Sequence, residues 1–167
     1  MIDFRTQAFG IVQIGNSGRF LGRRYYWKLY SIENILRALV FTILTVELGP
    51  SWWTTVVDEK IQGKINFVKS DYVANPVHNV PGNHDIYFLF LPDLTKIIFE
   101  NVEQFRPTIP GVDTLVVSLE RIRLPRNLVG HMNWPNQDDR NIIEETYREL
   151  KKLVFSFNKR GLAVSIP

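Results

Sequence analysis

Histidine is the side chain best suited to moving a proton near neutral pH, and this 167-residue chain has only three. One of them closes the stretch Arg126-Asn127-Leu128-Val129-Gly130-His131, which gathers a fixed cation, an amide and a titratable base. On a helix of 3.6 residues per turn, Asn127 and His131 share a face. Arg126 is set about 100° round from Asn127, within reach of the imidazole for so long a side chain. Gly130 weakens helix propensity beside the histidine, which places the imidazole at a fraying helix end. Such a set suits phosphodiester chemistry without a metal. The histidine moves the proton, and the arginine grips phosphate oxygens in two-pronged fashion and offsets charge in the transition state. The same residues also suit a plain helix C-terminus, where the macrodipole favours cations. With 12 arginines in the chain, an Arg-x4-His spacing is common enough that spacing leaves both readings open.

The other two histidines have weaker settings. His84 lies in Gly82-Asn83-His84-Asp85, which is similar to one block of the metallophosphoesterases. The Asp-x-His, Gly-Asp-x-x-Asp and Gly-His-x-His blocks that would complete two metal sites are missing, and one histidine with one aspartate cannot hold two metals. A polar turn is the expectation there. His78, beside Asn79, has no partner in sequence and is assigned to a loop. The chain has no cysteine, which excludes disulfides, thiolate metal sites and thiol nucleophiles. No metal or cofactor is expected.

These residues need a scaffold. A 45% apolar and 22% charged composition is that of a globular domain, and a net charge of +3 admits a nucleic-acid partner without requiring one. Met1 to Arg5 lacks the apolar core of a secretory signal, and the apolar run Ala38 to Leu44 is too short to span a bilayer. A cytoplasmic protein that does not engage membranes is expected.

Ile11-Val12-Gln13-Ile14, Gly15-Asn16-Ser17-Gly18 and Arg19-Phe20-Leu21 read as a β-hairpin around a glycine-rich turn. Arg23, Arg24 and Lys28 then interleave with Tyr25, Tyr26 and Trp27. That pattern either grips RNA by stacking and charge or packs its stems and solvates its charges. From Ser31, a candidate N-cap, Ile32, Ile35, Leu36, Leu39, Val40, Ile43 and Leu44 recur at helical spacing until Gly49-Pro50. A second helix runs from Ser51 to about Val73, with Gly63 as an interruption. A third follows Asp93 and ends before Pro107, and a fourth spans Val112 to about His131 with a kink at Pro125. A fifth runs from Asp138 to about Asn158, and Leu162 to Ile166 forms a strand against the hairpin. The expected fold is mainly α, a bundle of four or five helices (residues 31–167) with a small β adjunct in an N-terminal extension (residues 1–30).

In this order the chain resembles the HEPN (higher eukaryotes and prokaryotes nucleotide-binding) superfamily, in the branch fused to nuclear RNA-processing and bacterial defence proteins. The similar stretches are Glu33 to Arg37, Gly49 to Trp53, Phe90 to Ile98, and Arg126 to His131. They span about residues 31–157. The resemblance implies a metal-independent endoribonuclease of toxin or defence type, working as a homodimer whose two Arg126, Asn127 and His131 sets form one composite site. It implies a 2′,3′-cyclic phosphate and a 5′-hydroxyl as products, and a co-encoded antitoxin or defence partner. It also implies that Glu33 and Arg37 face the motif and orient Arg126; read alone, that pair is equally an exposed intrahelical salt bridge. The alternative function is a non-catalytic module that binds RNA, a nucleotide or a protein. A third is an assembly module that uses Trp52-Trp53 or Trp134 as a contact surface.

Overall fold

One continuous helical path opens the fold, in a computed structural model that describes residues 11–164. Helix α1 (Ile11–Leu21) passes through a π-helical turn (Gly22–Tyr26) into α2 (Trp27–Leu48). The hairpin expected over Ile11 to Leu21 is therefore not formed. The physical reason lies in the spacing of Ile14, Ser17, Phe20 and Leu21, which repeats every three or four residues. Ser17 is buried, Phe20 and Leu21 pack on the core, and the Phe20 ring stacks on Trp134 at 5.4 Å. A lone two-stranded hairpin has no comparable surface to bury. Nor is there a break at residues 30 and 31, because the same helix crosses them.

Helix α2 supplies the spine of the core through Ile32, Leu36, Leu39, Val40, Ile43 and Leu44. It stops at Gly49, whose φ of 84° is easy only for glycine. Trp52 then plugs the core, 1% exposed, and its indole N–H donates to Thr45 Oγ1 at 3.1 Å. The single helix expected after Ser51 is two: α3 (Trp52–Val56) and α4 (Glu59–Ala74). The break falls at Asp58, not at Gly63. Val57 is extended there, and Asp58 Oδ1 caps the new helix by accepting from the Ile61 N–H at 2.7 Å.

A 3-10 turn (Asp85–Phe88) leads into α5 (Leu91–Glu100) and the short α6 (Val102–Phe105). Asp93 sits one turn inside α5 and accepts from the Phe90 N–H at 3.1 Å. Helix α7 (Val112–Gly130) runs through the buried Pro125 without interruption. The carbonyl that Pro125 leaves unbonded is that of Arg121, an exposed residue that water can serve. Helix α8 (Gln137–Lys159) opens on a reciprocal cap in which Asn136 and Asp139 each accept from the other's N–H at 2.9 Å.

The most extensive packing is α7 on α8, with α2 on α8 and α5 on α7 completing an all-helical bundle. No strand occurs among the described residues. Leu162 to Val164 is irregular, and the remainder of the strand expected there lies outside them. By length and composition the helix Ile11–Leu48 could cross a membrane, which the run Ala38 to Leu44 alone could not. In the bundle, 44% of its most apolar window is buried.

Candidate active site

Glu33, one turn into the buried part of α2, organises the arginines of the site. Its Oε1 accepts from Arg126 Nε at 2.7 Å, and its Oε2 accepts from Arg37 Nη2 at 3.2 Å. The pair Glu33–Arg37 thus points into the bundle and reaches α7, 93 residues on. All three side chains are largely withdrawn from solvent, with 13% of Glu33, 13% of Arg37 and 23% of Arg126 exposed.

Arg37 is fixed from several sides. Its Nη2 also donates to the Leu89 carbonyl at 2.8 Å, and its Nη1 donates to Asn34 Oδ1 at 3.1 Å. That carbonyl is presented by the extended residue ending the 3-10 turn. The Nε of Arg37 is buried with no partner among the described residues. Burial lowers the proton affinity of Arg37 below the ordinary arginine value; Glu33 opposes the shift and Arg126 adds to it.

Arg126 is steadied further by Asn127 Oδ1, which accepts from its Nη1 at 3.3 Å, and by the Phe90 ring, whose centroid lies 5.6 Å from its guanidinium carbon. Among the described residues its Nη2 has no partner. The guanidinium folds toward the C-terminal turn of α7, so that a Cβ on Gly130 would stand 3.8 Å from Nη1.

His131 caps that turn. The Met132 N–H donates to the Val129 carbonyl at 3.0 Å, and the Asn133 N–H donates to the Leu128 carbonyl at 2.8 Å. This pattern ends a helix on a left-handed residue, and here that residue is Met132, at φ 60° and not a glycine. His131 itself is solvent-exposed, and its imidazole has no hydrogen-bond partner among the described residues.

Arg37, Arg126 and His131 line one cavity of about 510 Å³ that opens to solvent, together with Tyr26, Tyr30 and Tyr87. Gly82 backs the Tyr87 ring so closely that a Cβ there would stand 2.3 Å from it. Asn127 is not in the wall and acts on Arg126 from beside it. The cavity has two cations held by one carboxylate, an exposed imidazole and aromatic walls. It can hold an anionic group flanked by a flat ring, with a proton carrier at the edge.

The remaining residues singled out in the sequence lie elsewhere. Arg23 and Arg24 are exposed and line a separate hollow with Arg19. Lys28 does not share that face: it is buried, paired with Glu144, and donates to the Arg24 carbonyl at 3.0 Å. Trp52 is buried and so is not an open contact surface, while Trp53 and Trp134 are half-buried, the latter stacked on Phe20. His84 is half-buried among Phe41, Trp52 and Trp53, and its Nδ1 accepts from the Ile86 N–H at 3.1 Å, a capping role in a turn. No group of three or more acidic, histidine or cysteine side chains among the described residues is placed to hold a metal.

The tyrosines and Asn34 were missed from the sequence. Tyr26, Tyr30, Glu33 and Arg37 follow one another at three-and-four spacing, a signal that becomes visible once the helix is known to begin before Ser31. The Leu89 carbonyl that holds Arg37 leaves no mark in residue types. No protein-family model, curated protein or solved structure matches the chain.

Proposed function

We propose that this chain is a cytoplasmic, metal-independent endoribonuclease of toxin or defence type, acting on RNA as a homodimer. The observation that carries the reading is that Arg126, gripped by Glu33 through Nε, shares an open cavity with the free imidazole of His131. In this reading one His131 takes the proton of a ribose 2′-hydroxyl, and the 2′-oxygen attacks phosphorus. The 5′-oxygen leaves, protonated by His131 of the second copy, giving a 2′,3′-cyclic phosphate and a 5′-hydroxyl. Arg126 meets the charge that builds on the phosphoryl oxygens, and Asn127, Glu33 and Arg37 act through it as positioning residues. Purified protein should cleave RNA in EDTA, and His131→Ala should reduce cleavage at least 100-fold. Undiminished cleavage by that variant refutes the assignment.

A second reading, a non-catalytic RNA-binding module, is favoured by the exposed cations Arg19, Arg23 and Arg24, which lie apart from the cavity. It is distinguished by binding without turnover that is insensitive to His131→Ala but lost in the double variant Arg23→Ala/Arg24→Ala.

A further inference from the structure

A hollow larger than the one that holds His131 adjoins it. It is an open groove of about 790 Å³ between α2 and α8, lined also by Val164. Ile35, Ala38, Val154 and Phe155 form its apolar floor, and Phe155 remains 60% exposed. Arg148, Lys151 and Lys152 rim it from α8, and among the described residues no carboxylate lines it. Among the described residues none of these three cations has an ion-pair partner. Many of the other lysines and arginines do, including Lys28, Lys64, Lys69, Lys96 and Arg106. An apolar trough with an unpaired cationic edge is incomplete in both respects, since it leaves apolar area in water and charge without a counterpart.

We infer that this groove is a docking site for an amphipathic helix of another protein, one whose apolar stripe is flanked by aspartate or glutamate. The dimensions fit. The α2 wall from Tyr30 to Ala38 and the α8 wall from Tyr147 to Asn158 correspond to about 12–17 Å of helix, two to three turns of a partner. Apolar side chains at i, i+3, i+4 and i+7 would fill the floor. Carboxylates on one flank would meet the repeat Arg148, Lys151 and Lys152, itself at three-and-four spacing. A second copy of the chain fits poorly, because two such grooves face to face set lysine against lysine. The groove adjoins the His131 cavity through Tyr30 and Asn34, which line both, and Asn34 also accepts from Arg37. The inference concerns binding alone and does not depend on catalysis at His131.

The test is selection of helical 14-residue peptides from a randomised displayed library on the full chain, followed by titration of the enriched peptides against three proteins: the parent, Lys151→Glu/Lys152→Glu and His131→Ala. Enriched sequences should carry an apolar stripe with acidic flanks. The double charge reversal should weaken them about tenfold or more while leaving thermal melting unchanged, and a peptide with lysine replacing its acidic flank should regain affinity for that variant. Binding by His131→Ala should equal that of the parent, which separates failure here from failure of the nuclease reading. Three results would each overturn the proposal: no enrichment, enriched peptides without acidic bias, or affinity indifferent to the charge reversal. Labelled single-stranded RNA, or phosphatidylglycerol vesicles, bound through Lys151 and Lys152 and displacing the peptides would overturn it in favour of a nucleic-acid or membrane face.

Discussion

Replacing Glu33 with glutamine removes one charge and one acceptor from the junction of α2 and α7 while keeping the shape. Two charge-assisted hydrogen bonds are altered, to Arg126 at 2.7 Å and to Arg37 at 3.2 Å. Such bonds contribute roughly 1.5–3 kcal/mol each, and removing one partner of a withdrawn ion pair leaves the other charge uncompensated. Arg37 is the more exposed to that penalty, since only 13% of its side chain sees solvent and its Nε already lacks a partner. The glutamine oxygen still accepts one bond, which returns part of the loss. A net destabilisation of about 2–4 kcal/mol follows, or roughly 5–15 °C in Tm for a chain of this size. That is less than the typical stability of about 5–15 kcal/mol for a whole domain, so most of the population stays folded at room temperature. Urea titration followed by circular dichroism measures the loss. A cycle with Arg126→Gln isolates the contact, and the two substitutions should fall short of additivity by about 1 kcal/mol. On the proposed ribonuclease reading, RNA cleavage by Glu33→Gln should fall with it, because Arg126 loses the bond that aims it. A loss below about 0.5 kcal/mol, or strict additivity, would show that Glu33 is solvated and that Arg126 is held by something else.

Two further outcomes follow from the backbone at Met132 and the half-buried ring of His84. Met132 holds φ 60° with its side chain 73% exposed, so Met132→Gly relieves the left-handed strain and loses little packing. Stability should rise by about 0.5–1 kcal/mol, or roughly 1–4 °C in Tm; a lower Tm by calorimetry refutes the strain at the end of α7. For His84, burial is the main cause that holds its proton affinity below the ordinary value of 6.5, with Asp85 opposing and Lys69 assisting. The unfolded chain therefore takes up a proton that the folded chain resists, so stability is full above the ordinary value and declines as pH falls below it. The urea midpoint should be lower at pH 5 than at pH 7.5, and His84→Asn, which keeps a capping oxygen, should narrow the gap; equal gaps in both proteins refute the role.

The long helices were legible because their apolar residues repeat faithfully. Ile32 to Leu44 and Ile143 to Phe157 announce α2 and α8, and Gly49-Pro50 marks the end of the first, while the second begins at Gln137, one residue before the Asp138 expected. What misled was Gly15-Asn16-Ser17-Gly18, whose residue types favour turns. Turn propensity is a weak local preference, and the tertiary contacts of Ser17, Phe20 and Leu21 override it. Gly63 misled in the same direction: it costs a helix about 1 kcal/mol, which a well-capped helix tolerates. Asp58, three residues before Ile61, was the stronger mark of a boundary, because a side-chain cap defines where a helix starts rather than where one is weak.

The site was legible in its charged residues and hidden in its walls, and both have one origin. Arg126 and His131 stand close in sequence, so their association shows as a motif, and Glu33 and Arg37 show as polar intrusions on an apolar helix. The tyrosines show only if the helix is carried back through Gly22–Tyr26, since a boundary at residue 30 assigns Tyr26 and Tyr30 to a different unit from Glu33. The π-helical turn is what allows this continuation. It adds one residue to the turn, and Ser17 before it, Tyr25 within it and Lys28 after it are all brought against the bundle. Because residues 11–30 and part of the site share one continuous helical path, a substitution that melts the π turn should disturb the cavity wall as well as α1. Residues 11–30 are thereby tied, through one continuous helix, to Glu33 and Arg37 of the candidate site.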